Sequence, residues 1–110
     1  MFGFRKKKYV TAVDSTTTYL KNLSQRLGGL LRYTAENGKI NAAIKKLQED
    51  CIFTIAPPEN KEVRACQEEI DRLMKKLSDL LHEEEWDERT IMLYINDIGV
   101  QIDGINASRS

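Results

Sequence analysis

Residues 63–80 read VRACQEEIDRLMKKLSDL and residues 91–105 read IMLYINDIGVQIDGI, and these two stretches decide the fold. In each stretch the apolar residues recur every three or four positions, which places them on one side of a helix. The two rows are Val63, Cys66, Ile70, Leu73, Leu77 and Leu80, and then Ile91, Ile95, Ile98, Ile102 and Ile105. Because such a row is stable only when buried against another element, the sequence predicts helices that pack on helices.

Two further helices are predicted before these stretches. Their apolar rows are Leu20, Leu23, Leu27 and Leu30, and then Ile40, Ile44, Leu47 and Cys51. The rows differ in phase, so we expect the first helix to end near Asn37, with Gly38 as a left-handed residue after it. Pro57-Pro58 ends the second helix because proline lacks an amide hydrogen. Asp87 is the expected N-cap of the fourth helix.

Together these signals predict an all-α protein, an antiparallel up-down-up-down four-helix bundle. We place its helices at about 12–36, 39–55, 59–82 and 87–107, because short connections favour antiparallel neighbours. Residues 1–10 have no apolar period and are expected to form a flexible, disordered basic arm. Residues 11–110 then form a single helical domain, which suits a chain of 110 residues.

The charge of the chain is balanced in total but uneven along its length. It has 17 basic and 17 acidic residues, yet residues 1–8 contain four basic residues and no acidic one. The arm could therefore contact an anionic membrane weakly, through Phe2, Phe4, Arg5, Lys6, Lys7 and Lys8. The mildly acidic remainder argues against a nucleic-acid partner. Since no secretory signal or long apolar run is present, we expect a cytoplasmic protein, with peripheral membrane contact as the alternative.

Candidate chemistry is sparse. Asp79 and His82, the one histidine, share a helical face and form half of a di-metal bundle motif. The competing interpretation is a histidine that hydrogen-bonds carbonyls at a helix end. Cys51 and Cys66 lie on apolar rows far from His82, and we expect them to face each other across the second and third helices. We therefore predict no catalytic, cofactor or metal site.

The fourth helix carries a second apolar strip besides its isoleucine row. Leu93 and Val100 lie nearly opposite that row, with Met92 and Gly99 on the flank between. A dimer contact would bury this strip, so we expect a homodimer through these four residues. The alternative is a central fourth helix that the other three surround, which needs no partner.

The sequence favours a small helical protein–protein interaction module that is not an enzyme. It would present helix surfaces to a protein partner or to its own copy. One alternative is a peripheral membrane adaptor that binds anionic lipid through its arm. The other is a metal-dependent helical-bundle enzyme that uses Asp79 and His82.

Overall fold

The computed structural model describes residues 2–54 and 60–108, with side chains described for residues 16–54 and 60–108. These residues form four helices: α1 (Phe2–Leu30), α2 (Gly38–Phe53), α3 (Lys61–Leu81) and α4 (Glu88–Ala107). The described part of the chain contains no strand. The predicted all-α four-helix bundle is confirmed.

Two antiparallel hairpins, α1–α2 and α3–α4, meet through a close contact between α2 and α4. Within the first hairpin, Gln48 Nε2 donates to the carbonyl oxygen of Ser24 at 3.0 Å. α2 and α4 run parallel, as the ion pair between Lys39 in the first turn of α2 and Glu88 in the first turn of α4 shows. Hydrogen bonds between α1 and α3 close the bundle.

The α1–α3 contact centres on Asp71. Its Oδ1 accepts a hydrogen bond from Tyr19 Oη at 2.8 Å and one from Arg26 Nη1 at 3.2 Å. Tyr19 Oη also donates to the carbonyl oxygen of Gln67 at 3.1 Å. Burial and the neighbouring Asp71 raise the pKa of Tyr19 far above its usual value, which keeps the phenol a donor. The order around the bundle is therefore α1, α2, α4, α3, with α2 and α3 at opposite corners.

The apolar rows that define the helices form one core. All five isoleucines of the α4 row are buried, and so are the predicted rows of α1 and α2. In α3, Cys66 and Leu80 are only partly buried, while Met74 and Leu81 join the core. Helical periodicity therefore predicted which side of each helix faces inward.

The first helix begins at Phe2, earlier than the predicted start near residue 12. Threonine, aspartate and serine at 11–15 favour N-caps but are also tolerated inside a helix, and no proline interrupts residues 2–15. The predicted arm, residues 1–10, thus falls mostly within the range of α1. Met1 and the side chains of 2–15 lie outside what the structure describes.

The first helix also ends earlier than predicted, at Leu30 instead of residue 36. Turns closed by backbone hydrogen bonds between residues three positions apart follow the helix. The fully buried Thr34 stabilises them. Its hydroxyl donates to the carbonyl oxygen of Leu31 at 3.3 Å and accepts from Asn41 Nδ2 at 3.0 Å. Such side-chain bonds compete with helical ones. The prediction for Gly38 is wrong: it is the first residue of α2 and has no positive φ.

Side-chain caps begin the other three helices. Asn37 Oδ1 accepts from the amide of Ile40 at 3.1 Å, and Asn60 Oδ1 accepts from the amide of Val63 at 2.8 Å. Asp87 is the N-cap of α4, as predicted, and its carboxylate accepts from both the backbone amide and the hydroxyl of Thr90. The Asp87 cap fixes where α4 starts.

Candidate interaction surface on the outer face of α4

A row of exposed residues runs along α4 on the side opposite its buried isoleucines. We call it the outer stripe: Arg89, Leu93, Asn96, Val100 and Asp103, spaced by four, three, four and three positions. Leu93 is 58% exposed and Val100 is 56% exposed. Among the described helices, α4 packs closely only against α2 and α3, on its other sides, so none of them covers the outer stripe. The alternative in which the other three helices surround α4 is therefore wrong.

Two of the four predicted interface residues, Met92 and Gly99, lie on the flank of the strip that faces α2. A Cβ added to Gly99 would sit 3.3 Å from Leu47 Cδ2, so Gly99 faces α2. Met92 is partly buried against the core on the same flank. Both residues thus help α2 and α4 to pack side by side, and only Leu93 and Val100 belong to the exposed strip. Sequence spacing placed all four near one another but could not show that α2 fills the flank.

A surface groove follows the contact between α2 and α4. It has a volume of about 310 Å³. Its walls are Ala43, Lys46, Leu47 and Asp50 from α2, and Met92, Ile95, Asn96, Gly99, Val100 and Asp103 from α4. A second depression, beside Leu93, adds Lys39, Glu88 and Arg89 at the start of the two helices. The outer stripe and this groove together form what we call the α2–α4 face.

The two ends of the α2–α4 face carry opposite charges. At its start, Glu88 is held by Lys39 Nζ at 3.6 Å and by Asn37 Nδ2 at 3.1 Å, and Arg89 adds a further positive charge. At its other end, Asp50 and Asp103 lie close together. Burial first, and then the charge of Asp103, raise the pKa of Asp50, while Lys46 opposes the shift. The face therefore begins basic and ends acidic.

His82 hydrogen-bonds at the end of a helix, which is the alternative interpretation to metal binding. It is the C-cap of α3, and its Nδ1 lies 2.6 Å from the carbonyl oxygen of Ser78. Its ring contacts that of Tyr33, with centroids 4.6 Å apart. Asp79 and His82 both line a shallow groove between α1 and α3. Within the described ranges, no three histidine, cysteine, aspartate or glutamate side chains are grouped as metal ligands would be.

The two cysteines pack toward different helices. Cys51 is buried beside Leu20 of α1, and Cys66 Sγ lies 3.0 Å from the position of a Cβ on Gly104 of α4. Both thiols are free. Burial, with a smaller effect of Asp50, raises the pKa of Cys51 to about 12, and burial also raises that of Cys66. Neither thiol has the lowered pKa of an activated nucleophile. The prediction that Cys51 and Cys66 face each other assumed that α2 packs directly on α3, whereas α2 packs on α1 and α4.

The predicted membrane contact concerns side chains that the structure does not describe. Phe2, Phe4, Arg5, Lys6, Lys7 and Lys8 all lie in this group, so the anionic-lipid hypothesis stays a prediction. Over the described ranges, none of the helices combines the length and the hydropathy that a bilayer crossing needs.

One apolar feature was not predicted. Ile52 is 69% exposed and Phe53 is 78% exposed at the end of α2. A groove of about 360 Å³ between α1 and α2 runs beside Ile52, with Cys51 and Leu20 in its wall. The sequence signal was available, because both residues fall off the buried row that ends at Cys51. They directly precede the segment 55–59, which lies outside the described residues.

No protein-family model, curated protein or solved structure matches this chain. Its function is therefore inferred from the surface that the fold creates.

Proposed function

We propose that this chain is a small helical protein–protein interaction module and that the α2–α4 face is its binding surface. The observation that carries the proposal is the exposure of Leu93 and Val100, two apolar side chains seven residues apart on one helix. They lie on the same side of α4, two turns apart, which is the spacing with which one helix anchors on another. Burying their exposed parts would contribute about 1–2 kcal/mol each.

The surroundings of these two residues resemble the organisation of an interface. An apolar strip occupies the middle, and charged residues lie at both ends: Arg89 before Leu93, and Asp103 after Val100. Apolar centres with polar rims are usual in protein interfaces. The capped start of α4 and its buried isoleucine row hold the strip on a rigid element, so little conformational entropy is lost when it binds.

Site-specific photo-crosslinking in the native cells tests this function. A photoreactive amino acid is placed at Leu93 or Val100, and at Lys76 as an exposed control on α3. We expect discrete protein adducts from the two α4 positions and none above background from Lys76. Equal labelling at all three positions, or none at Leu93 and Val100, would contradict the proposal.

A second variant separates binding from folding. Leu93→Glu combined with Val100→Glu should abolish the adducts of a photoreactive group placed at Asn96. Because both side chains are largely exposed, the substitutions should change the unfolding free energy by no more than about 0.5 kcal/mol each. Loss of adducts together with an unfolded circular dichroism spectrum would instead mean that these residues stabilise the fold.

A further inference from the structure

We propose that the partner of the α2–α4 face is a second copy of this chain, bound antiparallel about a two-fold axis that passes near Asn96. This inference rests on the proposed function and adds the identity and orientation of the partner. It follows from the order of the residues along the outer stripe, from the charges at the two ends of the face, and from small residues at its centre.

The outer stripe is complementary to its own reverse. Arg89 and Asp103 lie seven positions before and after Asn96, while Leu93 and Val100 lie three before and four after it. If two copies of α4 pack antiparallel with Asn96 at the axis, Arg89 meets Asp103 of the other copy, and Leu93 meets Val100. A two-fold axis repeats each contact, so this arrangement gives each of the four residues a complementary partner on the other chain.

A parallel pairing of the same surface would bring like residues together. Arg89 would then face Arg89, and Asp103 would face Asp103. Charges of one sign opposed across an interface are destabilising, whereas alternating signs select orientation and register. Helix dipoles also favour the antiparallel arrangement. The charges therefore favour the antiparallel arrangement of the two outer stripes over the parallel one.

The α2 side of the face carries the same polarity. Lys39 lies at its start and Asp50 at its end, beside Arg89 and Asp103 respectively. Because a two-fold axis across the face sets α2 against α2 of the other copy, the basic start of each chain meets the acidic end of the other. Lys46 lies between these ends, and Glu88 is already paired with Lys39. Asp50 and Asp103 repel each other within one chain, and the second copy would bring cations to them.

The centre of the face allows close approach and fixes the register. Two small residues, the partly exposed Ala43 of α2 and Gly99 of α4, line the groove together with Asn96. Small side chains at this point let the two copies of α2 pass without a clash. Asn96 at the axis can both donate and accept through its amide, so two copies can hydrogen-bond to each other. A buried asparagine of this kind specifies register in helical dimers.

The dimensions of the face predict a reversible dimer. The outer stripe from Arg89 to Asp103 is about 21 Å long at 1.5 Å per residue. With a width of about 20 Å for two helices side by side, the face covers roughly 400 Å². This is about half of the roughly 800 Å² per partner of a standard interface, so we expect a dissociation constant in the micromolar range. Since the flanking charges remain near solvent, association should weaken as salt concentration rises.

Charge reversal tests the pairing without damage to the fold. Arg89→Asp places an acid in the first turn of α4, and Asp103→Arg places a base near its end, and both changes suit the helix dipole. Each variant alone opposes like charges across the axis. Sedimentation velocity of the full chain should therefore show a dissociation constant at least about tenfold higher for either variant than for the wild type. Lys76→Asp on α3 is the matched control and should leave it unchanged.

The decisive sample is an equal mixture of the two reversed variants. In that mixture the acid introduced at position 89 of one chain meets the base introduced at position 103 of the other, and the unchanged Asp103 of the first chain meets the unchanged Arg89 of the second. A mixed dimer should therefore form with an affinity close to that of the wild type, and native mass spectrometry identifies it by its mass.

Two results overturn the inference: no recovery of affinity in the mixture, or a wild type that stays monomeric at several hundred micromolar. If the wild type is monomeric but Leu93 and Val100 still crosslink to another protein, the inference fails and the proposed function stands.

Discussion

Ionisation of Asp50 opposes the folded state. Its carboxyl group is partly buried at the acidic end of the α2–α4 face, and its pKa is raised above the ordinary value of 3.8 by that burial and by Asp103. A carboxyl group with a raised pKa binds its proton more tightly in the folded chain than in the unfolded one. The unfolding free energy therefore decreases as pH rises from about 3.8 through the raised pKa of Asp50, because the unfolded chain loses the proton first.

We expect Asp50→Asn to raise the unfolding free energy at pH 7, with the gain disappearing as pH falls below about 4, where Asp50 is protonated in both states. Urea unfolding of dilute protein between pH 3 and 8 measures this, since dimerisation does not contribute there. Glu36→Gln, at an exposed position in the turn after α1, is the control. An Asp50→Asn variant that is less stable than the wild type at pH 7 would show that the charge of Asp50 stabilises the monomer.

Single residues also show where sequence patterns stop being informative. The i, i+4 spacing of Glu68 with Arg72 suits a helix-surface ion pair, yet Arg72 pairs with Glu69 through two hydrogen bonds, of 2.7 and 2.8 Å. Asp71 has the same i, i+4 spacing to Lys75, and its carboxylate accepts from Tyr19 and Arg26 of α1. Periodicity locates a residue on a helix, but the neighbour on another helix decides which partner it meets.

At the level of the helices, two glycines differ in whether a neighbouring helix leaves room for a side chain. A Cβ at Gly29 of α1 would meet no atom within 4 Å, whereas a Cβ at Gly104 of α4 would lie 3.0 Å from Cys66 Sγ. Neither glycine has a positive φ, so alanine can adopt both conformations. The two sites therefore differ in steric room and not in backbone geometry.

We predict that Gly29→Ala raises the unfolding free energy by about 0.5–1 kcal/mol, because alanine loses less backbone entropy in a helix. Gly104→Ala should gain less or lose stability, since Cys66 must move. Chemical unfolding of both variants checks this. In a Cys66→Ala background, Gly104→Ala should recover a gain like that of Gly29→Ala. Equal gains at both sites with Cys66 present would mean that the α3–α4 contact has room to spare.

The helices and their buried sides could be predicted from the sequence, and the arrangement of the helices could not. Leucine and isoleucine rows are local signals, and Asn60 and Asp87 cap their helices through bonds that span three residues. The order around the bundle depends on contacts between distant segments, such as Tyr19 with Asp71. For this reason the sequence placed Leu93 and Val100 on an exposed apolar strip, whereas the contact of Gly99 with Leu47 of α2 could not be predicted.

At the level of the whole molecule, the order α1, α2, α4, α3 is what creates the candidate site. It sets α2 and α4 side by side and parallel, so their basic starts and their acidic ends coincide at the two ends of one face. If consecutive helices had been neighbours throughout, α4 would have bordered α1 in place of α2. The polarity of the face is thus a property of the topology and not of one helix.

Cysteine crosslinking tests the central claim, the antiparallel pairing of this face, most directly. Under mild oxidation, Asn96→Cys should form a disulfide-linked dimer rapidly, because residue 96 lies at the axis. Arg89→Cys should not crosslink to itself but should crosslink to Asp103→Cys when the two variants are mixed. The wild type, whose native thiols are buried or partly buried, and Lys76→Cys give the background rate. An Asn96→Cys variant that crosslinks no faster than Lys76→Cys, or an Arg89→Cys variant that crosslinks readily to itself, would contradict the claim.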